Sequence, residues 1–332
     1  VTPDRPAAVP AHGIGGSTDL PIPYTYALIG AAWALTFTFA LVALAWRRPR
    51  FDPESPGRPL PRWATTVIDA PLARWVAALA ALLFAGWVAI AAFLGPQNDE
   101  NPLPGVFYVL MWVGLVAVSL AFGPVWRAIS PVRTVYRLLH LGRAPSTRRG
   151  HPERWGYWPA AFGLFAFVWL ELAGPDPGSV GAITVWLLVY LTVTLAGAVG
   201  FGDRWFARAD PFEVYGVVAS RLSPLRRRRE GGRLGPVVIG NPFDHLPSMP
   251  VRPGTVTVLA VLLGSTAFDS FSAMPQWRDF VDQHAASTLA ATLLRTAGLL
   301  VFSAVVAATF WLAARATGGV DRPRRRELPG LL

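Results

Sequence analysis

Cysteine is missing from this chain altogether, and so is lysine: all 30 basic residues are arginine. The first absence removes any disulfide framework or thiolate site, so the protein can face an oxidising exterior without redox consequence. The second points to a GC-rich genome and carries no mechanism. Charge of either sign is scarce, at 15% of residues against 53% hydrophobic, and a soluble fold would need an implausibly apolar surface. Catalytic signatures are missing too. There is no HExxH, Walker loop or GxSxG, and no dense His/Asp cluster of the kind a dinuclear metal centre needs. The run GIGG at Gly13 to Gly16 is too short for a phosphate loop.

What the chain has is long apolar windows. About 20 residues cross ~30 Å of hydrocarbon, and seven windows approach that length: 24–46, 73–94, 106–126, 157–173, 180–200, 255–273 and 288–314. The fourth is the shortest. The predicted fold is all-α, a polytopic bundle of about seven transmembrane helices over 24–314, between a leader (1–23) and a basic tail (315–332).

Arginine placement orients it. Segments 47–74, 127–154, 204–252 and 315–326 carry 6, 7, 9 and 5 arginines, while the opposite loops hold only Arg5 and Arg278. Short Arg-rich loops stay in the cytoplasm, which puts the N-terminus outside, the C-terminus inside, and the protein in a bacterial inner membrane. The net charge of +10 is then a topology signal. The run Arg226 to Arg229, within the loop 201–254, reads as solvated and set against anionic lipid headgroups rather than nucleic acid. His140, His151 and His245 fall in the same loops without metal-ligand spacing and read as solvated.

The chain begins at Val1, and Val9-Pro10-Ala11 has the small-x-small form that signal peptidase cuts. Two accounts stay open, an upstream piece removed or an alternative start codon. Cleavage after Ala11 would make His12 terminal, able to chelate copper or another divalent metal through its amine and ring, with His284 or Asp19 completing the site. A flexible leader is the plainer reading.

Two segments on the arginine-rich side repeat. FGPVWRAISPVRTVY from Phe122 and FGDRWFARADPFEVY from Phe201, aligned without gaps, share Phe, Gly, Trp, Ala, Val and Tyr. Each follows a helical hairpin, so 73–142 and 157–222 read as two copies in one orientation. Ser130-Pro131 and Asp210-Pro211 each offer an N-cap and a first-turn proline. The short helices they start read as interfacial anchors. In the first, Val132, Val135, Tyr136 and Leu139 form a stripe that leaves Arg133 and Arg137 outside it.

A polar cluster is expected at the outer end. Ser265, Asp269 and Ser272 share a face of one predicted helix, and Thr288, Thr292, Arg295 and Thr296 share a face of the next. At 1.5 Å per residue Asp269 lies ~6 Å and Arg295 ~12 Å below the outer boundary, close enough for the arginine to neutralise the carboxylate inside the bundle. Glu171 is a third charge at similar depth. PQWRDFVDQHAA, with Trp277, Phe280, Val281 and His284 at helical spacing, reads as an amphipathic helix roofing the cluster. A structural ion pair that fixes helix register explains Asp269 and Arg295 equally well.

AHGIGGSTDLPIP (Ala11 to Pro23), RRPRF after the first window, and STAFDSFSAMPQW (Ser265 to Trp277) resemble a group of multi-pass bacterial membrane proteins named fenitrothion hydrolase. The resemblance implies hydrolysis of an aryl organophosphorus triester and brings no residue roles with it. A hydrolase built from this chain's own residues would need a water activated by Asp269, Glu171 or a metal on His12 and His284, with Arg295 facing phosphoryl charge. Two other readings stay open. One is a transporter or permease using Asp269 and Arg295. The other is an accessory protein handling copper or assembling a membrane complex.

Overall fold

Proline fixes φ and lacks a donor, so it suits the first turn of a helix and little else inside one. Here Pro71, Pro131, Pro211 and Pro275 each open a helix. The computed structural model describes residues 24–45, 51–52, 55–98, 100–139, 152–230 and 233–317, divided between two compact units, Val1–Asp52 and Pro53–Leu332. His12, Asp19, His140, His151 and the tail beyond residue 317 lie outside the described residues.

The first unit contains α1 (Tyr24–Ala45). The Thr36 and Thr38 hydroxyls donate to the carbonyls of Ala32 and Ala34 one turn back, which satisfies them within this apolar helix.

The second unit runs through α2 (Arg62–Asp69), α3 (Pro71–Leu94), α4 (Gly105–Phe122), α5 (Trp126–Ile129), α6 (Pro131–Leu138), α7 (Trp158–Leu172), α8 (Val180–Phe201), α9 (Asp203–Ala209), α10 (Pro211–Ala219), α11 (Thr255–Ser272), α12 (Pro275–His284) and α13 (Thr288–Thr317). The first part of α4, Gly105–Gly114, is wound as a π-helix. All seven apolar windows are helical. Among the described residues five helices are long and apolar enough to cross a membrane, namely α3, α4, α8, α11 and α13.

The fourth window behaves differently. Its helix α7 has 15 residues, about 22 Å at 1.5 Å per residue, short of a ~30 Å core. Ala160, Leu164 and Phe167 on it are wholly buried, because α8, α9, α10, α11 and α13 all pack against it. Phe162, 67% exposed, lies on the face of α7 that these neighbours leave open.

The all-α expectation needs correcting at the Arg-rich end, where β1 (Arg58–Pro59), β2 (Leu225–Glu230) and β3 (Arg233–Ile239) form an antiparallel sheet in the order β1-β3-β2. The loop predicted over 201–254 is therefore largely α9, α10 and this sheet. The arginine run lies in β2, and its first two side chains are engaged with protein rather than solvated. Arg226 is buried, donates to the Ser55 carbonyl and lies 3.7 Å from Asp244. Arg227 pairs with Asp69 and donates to the Gly235 carbonyl. His245, expected in solvent, is half-buried in a 3-10 turn, Pro242–Ser248. Burial first, then the Arg221 and Arg226 charges, lowers its imidazole below the ordinary value.

The core is aromatic. Phe167 of α7 touches Phe107 and Trp112 of α4, Trp186 of α8 and Phe212 of α10, and Trp112 stacks on Tyr215 of α10 at 4.8 Å between centroids. On the other flank α11 and α13 meet at small residues: a Cβ on Gly264 would lie 2.6 Å from the Ser303 Cα, the close approach that glycine permits between apolar helices. The amphipathic helix expected before α13 is α12. It buries Val281 and lays Trp277 on Phe268 and Phe271 of α11.

Candidate functional site: a buried ion cluster between two helical hairpins

The sequence repeat is also a repeat of backbone geometry. α4 ends at Gly123 with φ 88°, ψ −162°, and α8 ends at Gly202 with φ 75°, ψ −166°. Both conformations fall where a Cβ is disfavoured, which accounts for glycine at each turn. Each chain then makes a short helix, α5 or α9, and stops at a capping residue: Ser130 at φ −58°, ψ 117°, and Asp210 at φ −71°, ψ 114°. The Ser130 hydroxyl accepts from the Arg133 amide, and the Asp210 carboxylate accepts from the Phe212 and Glu213 amides, so α6 and α10 start the same way.

Packing follows the repeat. α5 and α6 lie on α3, as α9 and α10 lie on α7; α6 reaches across to α8, as α10 reaches across to α4. Gly163 makes room for this, since a Cβ there would lie 3.0 Å from the Pro211 ring. Each hairpin thus turns back from the Arg-rich end into the bundle. Asp210 consequently reaches Tyr190, midway along α8.

The reading of these short helices as interfacial anchors gives no place to an ion cluster, and one lies between them. Arg133, placed by its periodicity outside the buried stripe, is 5% exposed, and Glu213 is 1% exposed. The Arg133 guanidinium donates Nη2–H to Glu213 Oε2. Arg127 donates Nε–H to the other oxygen, Oε1, at 3.1 Å. Two cations therefore share one carboxylate. The two arginines differ in setting: Arg133 lies 4.6 Å over the Phe206 ring, whereas the Arg127 side chain is 59% exposed. The Nε of Arg133 is buried and has no hydrogen-bond partner.

Asp210 does a different job. It is wholly buried and accepts from Trp126 Nε1 at 2.9 Å, from the Tyr190 hydroxyl at 3.1 Å and from its own helix amides. Trp126 belongs to the first hairpin and Tyr190 to α8, so this cap cross-links the two copies. With its donors all neutral, Asp210 is held by hydrogen bonds, and Glu213 by charge.

The outer residues expected from sequence are distributed over α7 (Glu171), α11 (Asp269) and α13 (Arg295), helices that pack on one another. Asp269 lies near enough to Glu171 for its charge to act there. Asp269 is exposed and Arg295 half-buried. The polar stripes find other partners. Ser265 donates to the Leu262 carbonyl, while Thr296 accepts from Trp169 Nε1 at 2.8 Å and donates to the Thr292 carbonyl. His284 Nδ1 lies 2.8 Å from the Phe280 carbonyl. Among the described residues no group of three His, Asp or Glu side chains could hold a metal ion.

No family model, curated protein or solved structure matches the chain.

Proposed function

We propose that the chain is an integral membrane transporter or permease whose central site is the Arg127–Glu213–Arg133 cluster. The observation that carries the reading is the buried Arg133–Glu213 pair at the first turns of α6 and α10. Ionisable groups among membrane-spanning helices are expensive and mark solute or proton pathways. Repeated hairpins and helices that stop within the bundle, with their N-termini at its centre, are the elements from which many transporters build substrate sites. The arginine asymmetry supports an inner-membrane orientation with the hairpins entering from the cytoplasm. In this reading α1 and α7 cross together with the five long helices, seven crossings in all, which keeps the Arg-rich segments on one side and puts the two ends of the chain on opposite sides.

Proteoliposomes containing the purified chain test this. Charge movement on perfusion with a panel of organic and inorganic anions, abolished in Arg133→Gln while the protein stays folded, is the expected result. Silence across the panel with intact protein sinks the proposal. An aryl phosphotriester supplied to the same preparation checks the hydrolase that the resemblance implies. Turnover that survives Arg133→Gln but disappears in Glu171→Gln or Asp269→Asn moves the function to the outer cluster.

A further inference from the structure

We infer that the two arginines bind a tetrahedral oxyanion of the phosphate class, which takes the place of Glu213 as that carboxylate accepts a proton. The inference takes its substrate role from the transport reading and names the substrate class of the same site.

The charges lead to it. Arg127 and Arg133 hold one carboxylate between them, so the triad carries one net positive charge as it stands. The groups facing Glu213 come from every side. Arg127 comes from α5, and Arg133 and Arg137 from α6. Asp210 caps its own helix, and Tyr190 reaches in from α8. From α9, Asp203 acts on Arg137. The packed faces of α4 and α7 add no ionisable group at this depth; the only charged residue of either helix is Glu171, at the far end of α7. Asp210 is saturated by four donors, which leaves Glu213 as the anion that can be exchanged.

A buried pair of guanidinium groups without any anion would be costly, so Glu213 leaves only if another anion arrives. Proton and anion are then coupled: one proton from solution neutralises the carboxylate, one monoanion enters, and the charge of the triad is unchanged. The geometry favours more than two oxygens. Glu213 satisfies one donor on each arginine and leaves Arg133 Nε–H buried with no acceptor. Guanidinium groups approaching from two directions, with an unused donor, suit a phosphate-type oxyanion better than the carboxylate now between them. Arg127, on α5 and more than half exposed, is the route by which such an anion reaches Arg133.

The anion could be free or carried on a lipid, and one experiment separates the sources. Dimethyl phosphate, a monoanion across the working pH range, is titrated calorimetrically into the protein in phosphatidylcholine nanodiscs, in buffers of differing protonation enthalpy. We expect binding with uptake of about one proton per anion, and affinity at least ~tenfold tighter at pH 5.5 than at 7.5. In Glu213→Gln binding should persist, lose its proton uptake and become flat with pH. Arg133→Gln should abolish it, and because that variant strands a buried carboxylate, Arg133→Gln in the Glu213→Gln background provides the same comparison in a folded protein. Phosphatidylglycerol in the nanodisc should weaken dimethyl phosphate binding if a lipid headgroup uses the site, and leave it unchanged if the anion is free. Binding without proton uptake, binding that survives loss of Arg133, or no binding in wild type and Glu213→Gln alike overturns the inference. Flux in proteoliposomes is scored separately. Coupled binding without flux removes the transport reading and leaves the site, whereas flux without coupled binding does the reverse.

Discussion

Arg133 and Glu213 occupy the same position in two copies of one motif, two residues beyond the proline that opens a helix, and each is the other's partner. Opposite charges at equivalent positions let the copies meet face to face where like residues would repel. Removing one member should therefore cost far more than removing both. Arg133→Gln is expected to destabilise the detergent-solubilised protein by about 3–5 kcal/mol, whereas Arg133→Met with Glu213→Leu should be neutral or stabilising by about 1–4 kcal/mol. Thermal denaturation of both variants checks this, and additive losses would show that the residues act independently.

Glycine is required at the turns into the hairpins and dispensable at Gly86. Gly202→Ala places a Cβ at φ 75°, ψ −166° and should cost about 1–3 kcal/mol. Gly86→Ala, in the interior of α3 with open space around it, should gain about 0.5–1 kcal/mol. Equal melting shifts of the same sign in the two variants would contradict the backbone argument.

Gly264 sets the distance between α11 and α13. Gly264→Ala drives a methyl group to within 2.6 Å of the Ser303 Cα, and the separation it forces should cost about 1–3 kcal/mol. A melting temperature equal to wild type would show that the two helices slide apart freely.

Asp69 links the sheet to acid sensitivity. Its hydrogen bond from Arg227, then the charges of Arg227 and Arg74, hold its carboxyl below the usual value despite partial burial. A depressed carboxylate contributes stability above its unfolded value, about 3.9, and the contribution disappears as pH falls through the lower folded value. Asp69 is 37% exposed, so the effect is modest. Asp69→Asn should lower stability at neutral pH and converge with wild type below about pH 4, as read by pH-dependent melting. A constant offset down to pH 2 would rule the linkage out.

Because the chain lacks cysteine, topology can be read against a blank background. Cysteines at Asn98 and Asp279 should label with an impermeant maleimide on intact cells, and one at Gly231 should label only after lysis. External labelling at Gly231 overturns the orientation.

Apolar length and proline position made the helices legible, because both act within a single segment. The windows matched helices, and the caps at Ser130 and Asp210 were found at their residues. The number of crossings was less legible at α7, because a helix packed on protein and a helix in lipid are apolar for different reasons that leave the same letters, and α7 has a packed face and an open one. Arg133 was misread for a related reason: periodicity on a helix of 8 residues describes one lipid or protein face, and α6 has neighbours on more than one side. The site itself was hidden by alignment. The gapless match sets Arg133 against Phe212, and only a shift of one residue, which superposes Pro131 on Pro211, brings Arg133 opposite Glu213. Two proline-headed caps in a repeat were the available signal. The β-sheet was obscured by its arginines, whose partners Ser55, Asp69 and Asp244 are remote in sequence.

The sheet also constrains how the two halves can move. β1 comes from the segment leading into the first hairpin repeat and β3 from the segment leaving the second, and Arg226 and Arg227 fasten that junction again through Ser55 and Asp69. The first copy is thereby tied at its beginning to the end of the second, like a strap joining two levers at one end. A rocking motion between the copies would have its fulcrum at this clasp, and its largest excursion at the far end, where α12 lies across α11.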